Sequence, residues 1–67
     1  MNHSIGAQIE EVEREIALRE RVYSYQVRTG KMRQSIADFH LDRMRAVKRT
    51  LEWLQKNEAR IKADALP

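Results

Sequence analysis

The sequence predicts an all-α protein, an antiparallel two-helix hairpin that homodimerises into a four-helix bundle. Apolar residues recur in alternating steps of four and three, the spacing of a helix packed against another helix. This pattern is broken once, at Thr29-Gly30-Lys31, and then resumes. A glycine at such a break favours the left-handed conformation that ends a helix and lets the chain reverse. The chain has 67 residues and no cysteine, so no disulfide can add to its stability. A single seam between two helices is a small core. This shortage of buried apolar surface predicts the dimer.

Helix 1 is expected from about residue 5 to about residue 28. Ser4 is the expected N-cap, because its hydroxyl can accept a hydrogen bond from a free backbone N–H of the first turn. The apolar stripe of this helix supplies one half of the predicted seam. Its members are Ile9, Val12, Ile16 and Tyr23.

The turn is expected over residues 29–33 and helix 2 from residue 34 to about residue 63, which makes residues 1–67 a single domain. Arg33 is a poor N-cap for helix 2. Helix 2 is the longer helix, so Ile61 and Leu66 overhang helix 1 without an intrachain partner, which is a second argument for dimerisation. The other half of the predicted seam is His40, Met44, Val47, Leu51 and Leu54, preceded by Ala37 and followed by Glu58 and Ile61.

A second apolar column on helix 2 lies away from this seam. Phe39, Ala46 and Trp53 are spaced by seven residues, and a two-helix monomer would leave both aromatic rings in water. Two interpretations stay open. The column is the homodimer interface, or it is a hot spot for a different protein, because Trp and Arg are enriched at hot spots. The predicted partner- or dimer-binding residues are Phe39, Arg43, Ala46, Arg49, Trp53 and Arg60.

Charge is unevenly divided between the two halves of the chain. Residues 1–30 carry four arginines against five glutamates, net −1, and residues 31–67 carry nine Lys/Arg against five Asp/Glu, net +4. In a hairpin, the acidic run from Glu10 to Glu15 faces the basic part of helix 2, so charge complementarity between the helices is the favoured interpretation. The basic cluster is Arg43, Arg45, Lys48 and Arg49, and it raises nucleic-acid binding as an alternative. Intervening acidic residues and the lack of a known DNA-binding pattern argue against nucleic acid.

Several classes of function find no support in the sequence. No nucleophile accompanies a base and no glycine-rich phosphate loop is present, so we expect no enzyme and no cofactor. His3 and His40 are far apart and have no metal-ligand spacing, so we expect no bound metal. No segment is apolar enough to span a membrane and the N-terminus does not read as a signal peptide, which predicts a cytoplasmic protein with no membrane partner.

Part of the chain resembles a family of small helical-hairpin proteins encoded by bacteriophages and prophages. The resemblance covers roughly residues 10–45. It is carried by the segment Glu13–Tyr23 (EREIALRERVY), by Gly30-Lys31-Met32 in the turn and by Ala37-Asp38 near the start of helix 2. The chain departs from the family pattern at three positions: Ser24 stands where Pro is frequent, Gln26 where Trp is frequent, and Arg33 where Thr or Ser is usual.

The resemblance implies a non-enzymatic protein of the bacterial host cytoplasm. Most members of the family have no assigned activity, and hairpins of this kind include host-takeover proteins that bind and inhibit host proteins. The implied partner is a host regulatory protein such as a quorum-sensing transcriptional activator, bound through helix 2 by a homodimer. The alternatives are a nucleic-acid-binding accessory protein that uses the basic face of helix 2, and a structural assembly subunit.

Overall fold

The protein is an all-helical hairpin in which two long helices pack against each other. The computed structural model describes residues 3–65, and the side chains of residues 3–63. Helix α1 spans Ile5–Arg28, α2 spans Gln34–Lys56 and α3 spans Glu58–Ala65. The molecule is a rod of 55 × 21 × 16 Å. The two long helices lie antiparallel, with Tyr23 facing His40 near the turn and Glu13 facing Lys48 further along. Each is about 35 Å long, so the chain that continues beyond α2 adds to the length of the rod.

Helix α1 begins and ends as its sequence predicts. Ser4 has an extended backbone, and its Oγ accepts a hydrogen bond from the Ala7 N–H at 3.1 Å, which confirms the predicted N-cap. At the other end the Thr29 hydroxyl donates to the Tyr25 carbonyl at 2.9 Å. Gly30 follows with φ of +79°, which confirms the left-handed glycine of the turn. The Lys31 N–H then bonds the Gln26 carbonyl at 2.7 Å, so a carbonyl of the last turn of α1 is satisfied.

Helix α2 is shorter than the sequence predicts, because the helix is interrupted at Asn57. The expected helix ran to about residue 63, whereas α2 ends at Lys56 and a separate α3 follows. The Asn57 side-chain amide donates to the Trp53 carbonyl at 2.8 Å, and the Asn57 backbone N–H bonds the same carbonyl at 3.1 Å. The Ile61 N–H still bonds the Asn57 carbonyl at 2.9 Å, so the chain continues onward in helical form.

The core is the seam between α1 and α2. Its four buried apolar residues are Ile9, Ile16, Ala37 and Leu41. Val12, Tyr23, Met44 and Leu51 are half-buried at the same seam, and Leu54 is half-buried at its edge. At the open end the Gln55 side chain reaches α1, since a Cβ on Gly6 would lie 3.3 Å from Gln55 Nε2.

Two residues predicted for the seam lie outside it. Val47 is 47% exposed and His40 is exposed, while the neighbouring Leu41 is buried and Lys48 is half-buried. Helix α2 is therefore rotated relative to the predicted orientation, so that Leu41 rather than His40 follows Ala37 in the seam. The larger apolar side chain gains more from burial than an imidazole does, and the aliphatic stem of Lys48 can line a seam while its ammonium reaches water.

Helix α3 extends past the end of α1. Among the described residues α3 contacts α2 and has no Cα within 8 Å of α1. Ile61, which the sequence predicts to overhang, is 39% exposed. Leu66, the other residue of the predicted overhang, lies outside the described residues.

Candidate interaction surfaces

One side of the hairpin is a charged face, on which the two helices exchange ion pairs. Arg45 Nη2 donates to Glu20 Oε1 at 2.9 Å, and Lys48 Nζ lies 3.9 Å from Glu13 Oε2. The Glu13–Lys48 contact is the interhelical complementarity that the sequence predicts for the acidic run, and the Glu20–Arg45 pair is one that the prediction did not include. Two of the four residues in the basic cluster are therefore paired with carboxylates of α1, which reduces the positive charge available to a nucleic acid.

The other side of the hairpin carries an apolar column, which we call the open-face column. It consists of His40, Val47 and Leu54 of α2 and Ile61 of α3, spaced by seven residues. The three α2 members each lie three residues after a seam residue (Ala37, Met44 or Leu51), so at about 100° per residue the column is turned by about 60° from the direction of α1. Arg45 and Lys48 of the charged face are turned from α1 in the opposite sense. The open-face column and the charged face therefore lie on opposite sides of the seam.

The open-face column is only partly covered by α1. The centroid of the His40 ring lies 6.2 Å from that of the Tyr23 ring. The sequence predicts His40 inside the seam, whereas in the structure it contacts α1 from the edge of the seam. Val47 and Ile61 are exposed, and Leu54 is half-buried. The sequence predicts that this column and the seam residues of α2 form one stripe. In the structure only part of that stripe packs in the seam, and the rest lies on the open side of the hairpin.

The second column, which we call the outer column, lies on the side of α2 nearly opposite the seam. It consists of Phe39, Ala46 and Trp53, with Phe39 52% and Trp53 58% exposed. The Arg43 guanidinium carbon lies 5.2 Å from the centre of the Phe39 ring, within cation–π distance. Beside Trp53 runs an open groove lined by Arg49, Glu52, Trp53, Gln55 and Lys56. Arg60, the remaining residue predicted for this surface, is exposed on α3, seven residues after Trp53.

A third apolar patch lies on α1 near the turn, and the sequence prediction of binding residues did not include it. Leu18, Val22 and Tyr25 are all exposed and line one groove. The Arg28 and Lys31 side chains lie 5.7 and 5.9 Å from the centre of the Tyr25 ring. The signal was present in the sequence, because the apolar face of helix 1 widens towards its end, but widening alone does not distinguish a broader seam from a second surface.

Within the described part of the chain, no group of His, Asp or Glu side chains is arranged to hold a metal ion. None of the described helices combines the length and the apolar character that a membrane crossing requires.

No protein-family model, curated protein sequence or solved structure matches this chain. The resemblance to phage-encoded hairpins therefore stays a prediction.

Proposed function

We propose that this protein is a non-catalytic interaction protein that pairs with a second copy of itself through the open-face column and then binds another protein. The observation that carries the proposal is the division of the apolar stripe that runs along α2 into α3. One part meets α1, and the other part, from His40 to Ile61, is only partly covered by the described residues.

The accessible surface of the chain supports self-association. The chain exposes 5656 Å², whereas a compact folded protein of 8.0 kDa exposes roughly 4,500 Å². The difference of about 1,200 Å² exceeds the roughly 800 Å² that each partner contributes to a standard stable interface. Contact with a second copy of the chain is therefore sufficient to bury a large part of this excess surface.

The directions of the two surfaces on α2 suit a four-helix bundle. In such a bundle each helix contacts two neighbours, and its apolar residues lie on two adjacent flanks. The seam residues of α2 meet α1, and the open-face column, turned by about 60°, would meet a helix of the second copy. The charged face then remains in water, where its exposed ion pairs are tolerated without desolvation.

The partner proposed for the dimer is a host regulatory protein in the bacterial cytoplasm, such as a transcriptional activator. This part of the proposal is supported by the resemblance to phage-encoded hairpins over residues 10–45. The exposed aromatic and arginine residues of the outer column also support it, because such residues dominate protein-binding hot spots.

Sedimentation equilibrium tests the self-association with two variants of adjacent residues. We expect the parent protein to be dimeric at micromolar concentration and Val47→Glu to be monomeric, because the new carboxylate would be buried between two copies. Ala46→Glu is the matched control: it adds the same side chain at an exposed position about 100° away around the helix, and we expect it to remain dimeric.

Two other outcomes of this experiment would contradict the proposed dimer interface. A parent protein of monomeric mass at all concentrations would refute the proposed self-association. Dissociation by Ala46→Glu with Val47→Glu still dimeric would place the dimer interface on the outer column instead.

A further inference from the structure

The outer column is left uncovered by the dimer proposed above, and we infer that it binds an acidic amphipathic helix of a partner protein. The inference rests on the proposed function, because it assigns the open-face column to the second copy. Ala46 and Val47 are adjacent, so their side chains point about 100° apart. A copy seated over Val47 therefore leaves the outer column facing solvent.

The shape of the outer column fits a helix. Phe39 and Trp53 are fourteen residues apart, which is about 21 Å along the axis, and the small Ala46 lies midway between them. Two exposed rings with a small residue between them form a notch that can receive a side chain of a helix aligned with α2, as knobs enter holes in coiled coils. A partner helix of about fourteen residues would cover this length.

The charge around the column selects an acidic partner. Arg43, Arg49 and Lys56 flank it, and none of them forms a salt bridge with another residue in the described range 3–63. Three carboxylates lie nearby: that of Asp42 is 3.7 Å from Arg45 Nη1, that of Asp38 accepts a hydrogen bond from the Gln34 side chain at 2.9 Å, and that of Glu52 shares the groove with Arg49 and Lys56. Asp38 and Glu52 each precede a column residue by one position and are turned about 100° from it, whereas the three cations and Asp42 follow a column residue by three or four positions and lie within about 60° of it. On the flanks of the column the cations therefore outnumber the acids, and carboxylates on both flanks of a partner helix would meet them.

The width of the column favours a protein helix over a membrane surface. Its apolar part is a single line of side chains, widened only at its first turn by the exposed Ile36 and bounded elsewhere by polar residues such as Thr50 and Arg49. A helix that lies on a membrane buries a broad apolar face, whereas a seam between two helices needs only a narrow stripe at heptad spacing.

Selection from a peptide library tests the inference on the full chain. The probes are sixteen-residue helical peptides with leucine fixed at heptad positions and with Glu, Lys, Gln and Ser varied equally at the flanking positions. We expect the enriched peptides to contain more Glu than Lys, and to shift the fluorescence of Trp53, the single tryptophan, to shorter wavelength as its ring leaves water.

Two alanine variants locate the binding surface while Trp53 is kept as the reporter. We expect Phe39→Ala to weaken binding of the enriched peptide about tenfold or more, as at a hot spot. Tyr25→Ala is the matched control, because Tyr25 is an equally exposed aromatic residue on α1, and we expect a change of less than about twofold.

Several results would overturn the inference. They are enrichment of Lys-rich or neutral peptides, no enrichment at all, or loss of binding in Tyr25→Ala but not in Phe39→Ala. A fluorescence shift produced by duplex DNA or by anionic phospholipid vesicles, with none produced by acidic peptides, would assign the column to those ligands instead. The mass measured by sedimentation keeps the two proposals separate: acidic-peptide binding by a monomeric chain would refute self-association and leave this inference standing.

Discussion

Leu41→Ala is the substitution that most directly tests the seam as the structure has it. The Leu41 side chain is 9% exposed, in contrast to its neighbour His40. The change removes three carbon atoms, each contributing about 0.8 kcal/mol when buried. A partly unfilled cavity adds to this loss. We therefore expect the free energy of unfolding to fall by about 2–3 kcal/mol, a large part of the roughly 3–10 kcal/mol that a chain of this length has.

Urea denaturation followed by circular dichroism at 222 nm measures this loss, with every variant at the same protein concentration because association adds to stability. Leu18→Ala is the matched control, because it is the same substitution at a position that is 45% exposed, and alanine is the better helix former. We expect that control to lose about 1 kcal/mol or less. Equal midpoints for the two variants would refute the described seam, and a larger loss in His40→Ala than in Leu41→Ala would restore the orientation predicted from the sequence pattern.

Two further predictions concern the ends of α1. Gly30→Ala should lower the free energy of unfolding by about 1 kcal/mol, because alanine is strained at positive φ, although the space around the new methyl group is open; a raised urea midpoint would contradict the left-handed turn. Ser4→Ala should lower it by about 0.5–1 kcal/mol through loss of the N-cap, while Ser4→Asp should retain the cap. Hydrogen exchange at the Ala7 amide checks this, and unchanged protection in Ser4→Ala would show that the cap contributes nothing.

The features that the sequence predicts well are those set by one or two neighbouring residues. The limits of α1 depend on a hydroxyl at Ser4 and on the freedom of Gly30 to adopt positive φ, and both effects are local. The reversal of the chain follows from the same glycine. These features need no knowledge of what the other helix presents.

The orientation of α2 could not be predicted in the same way, because two seams fit its sequence. Starting from Ala37, one seam continues through His40 and the other through Leu41, and both return to Met44 with steps that total seven. The pattern therefore gives the period of the apolar residues without saying which flank meets α1. That choice depends on the packing of whole side chains across the seam, which is a property of both helices together.

The interruption at Asn57 falls on a residue with a low helix propensity, which periodicity does not measure. Asparagine is a weak helix former because its side chain can bond the backbone nearby, and here it bonds the Trp53 carbonyl. The apolar period continues through Ile61 regardless of this bond, so the pattern alone predicts an uninterrupted helix.

For the outer column, the sequence predicts two exposed rings, but spacing alone cannot say whether a second copy or another protein would cover them.

The short turn has a consequence for the order in which the hairpin forms. Closing a short loop costs little conformational entropy, and the cost rises as the connected residues become more distant along the chain. The pair of Tyr23 and His40 closes the shortest loop, then Glu20 and Arg45, then Glu13 and Lys48. The two helices should therefore zip together from the turn outwards, in the fast regime of proteins whose contacts are local. The free end, where Ser4 caps α1 and α3 extends beyond it, is then the last part to assemble and the first to fray.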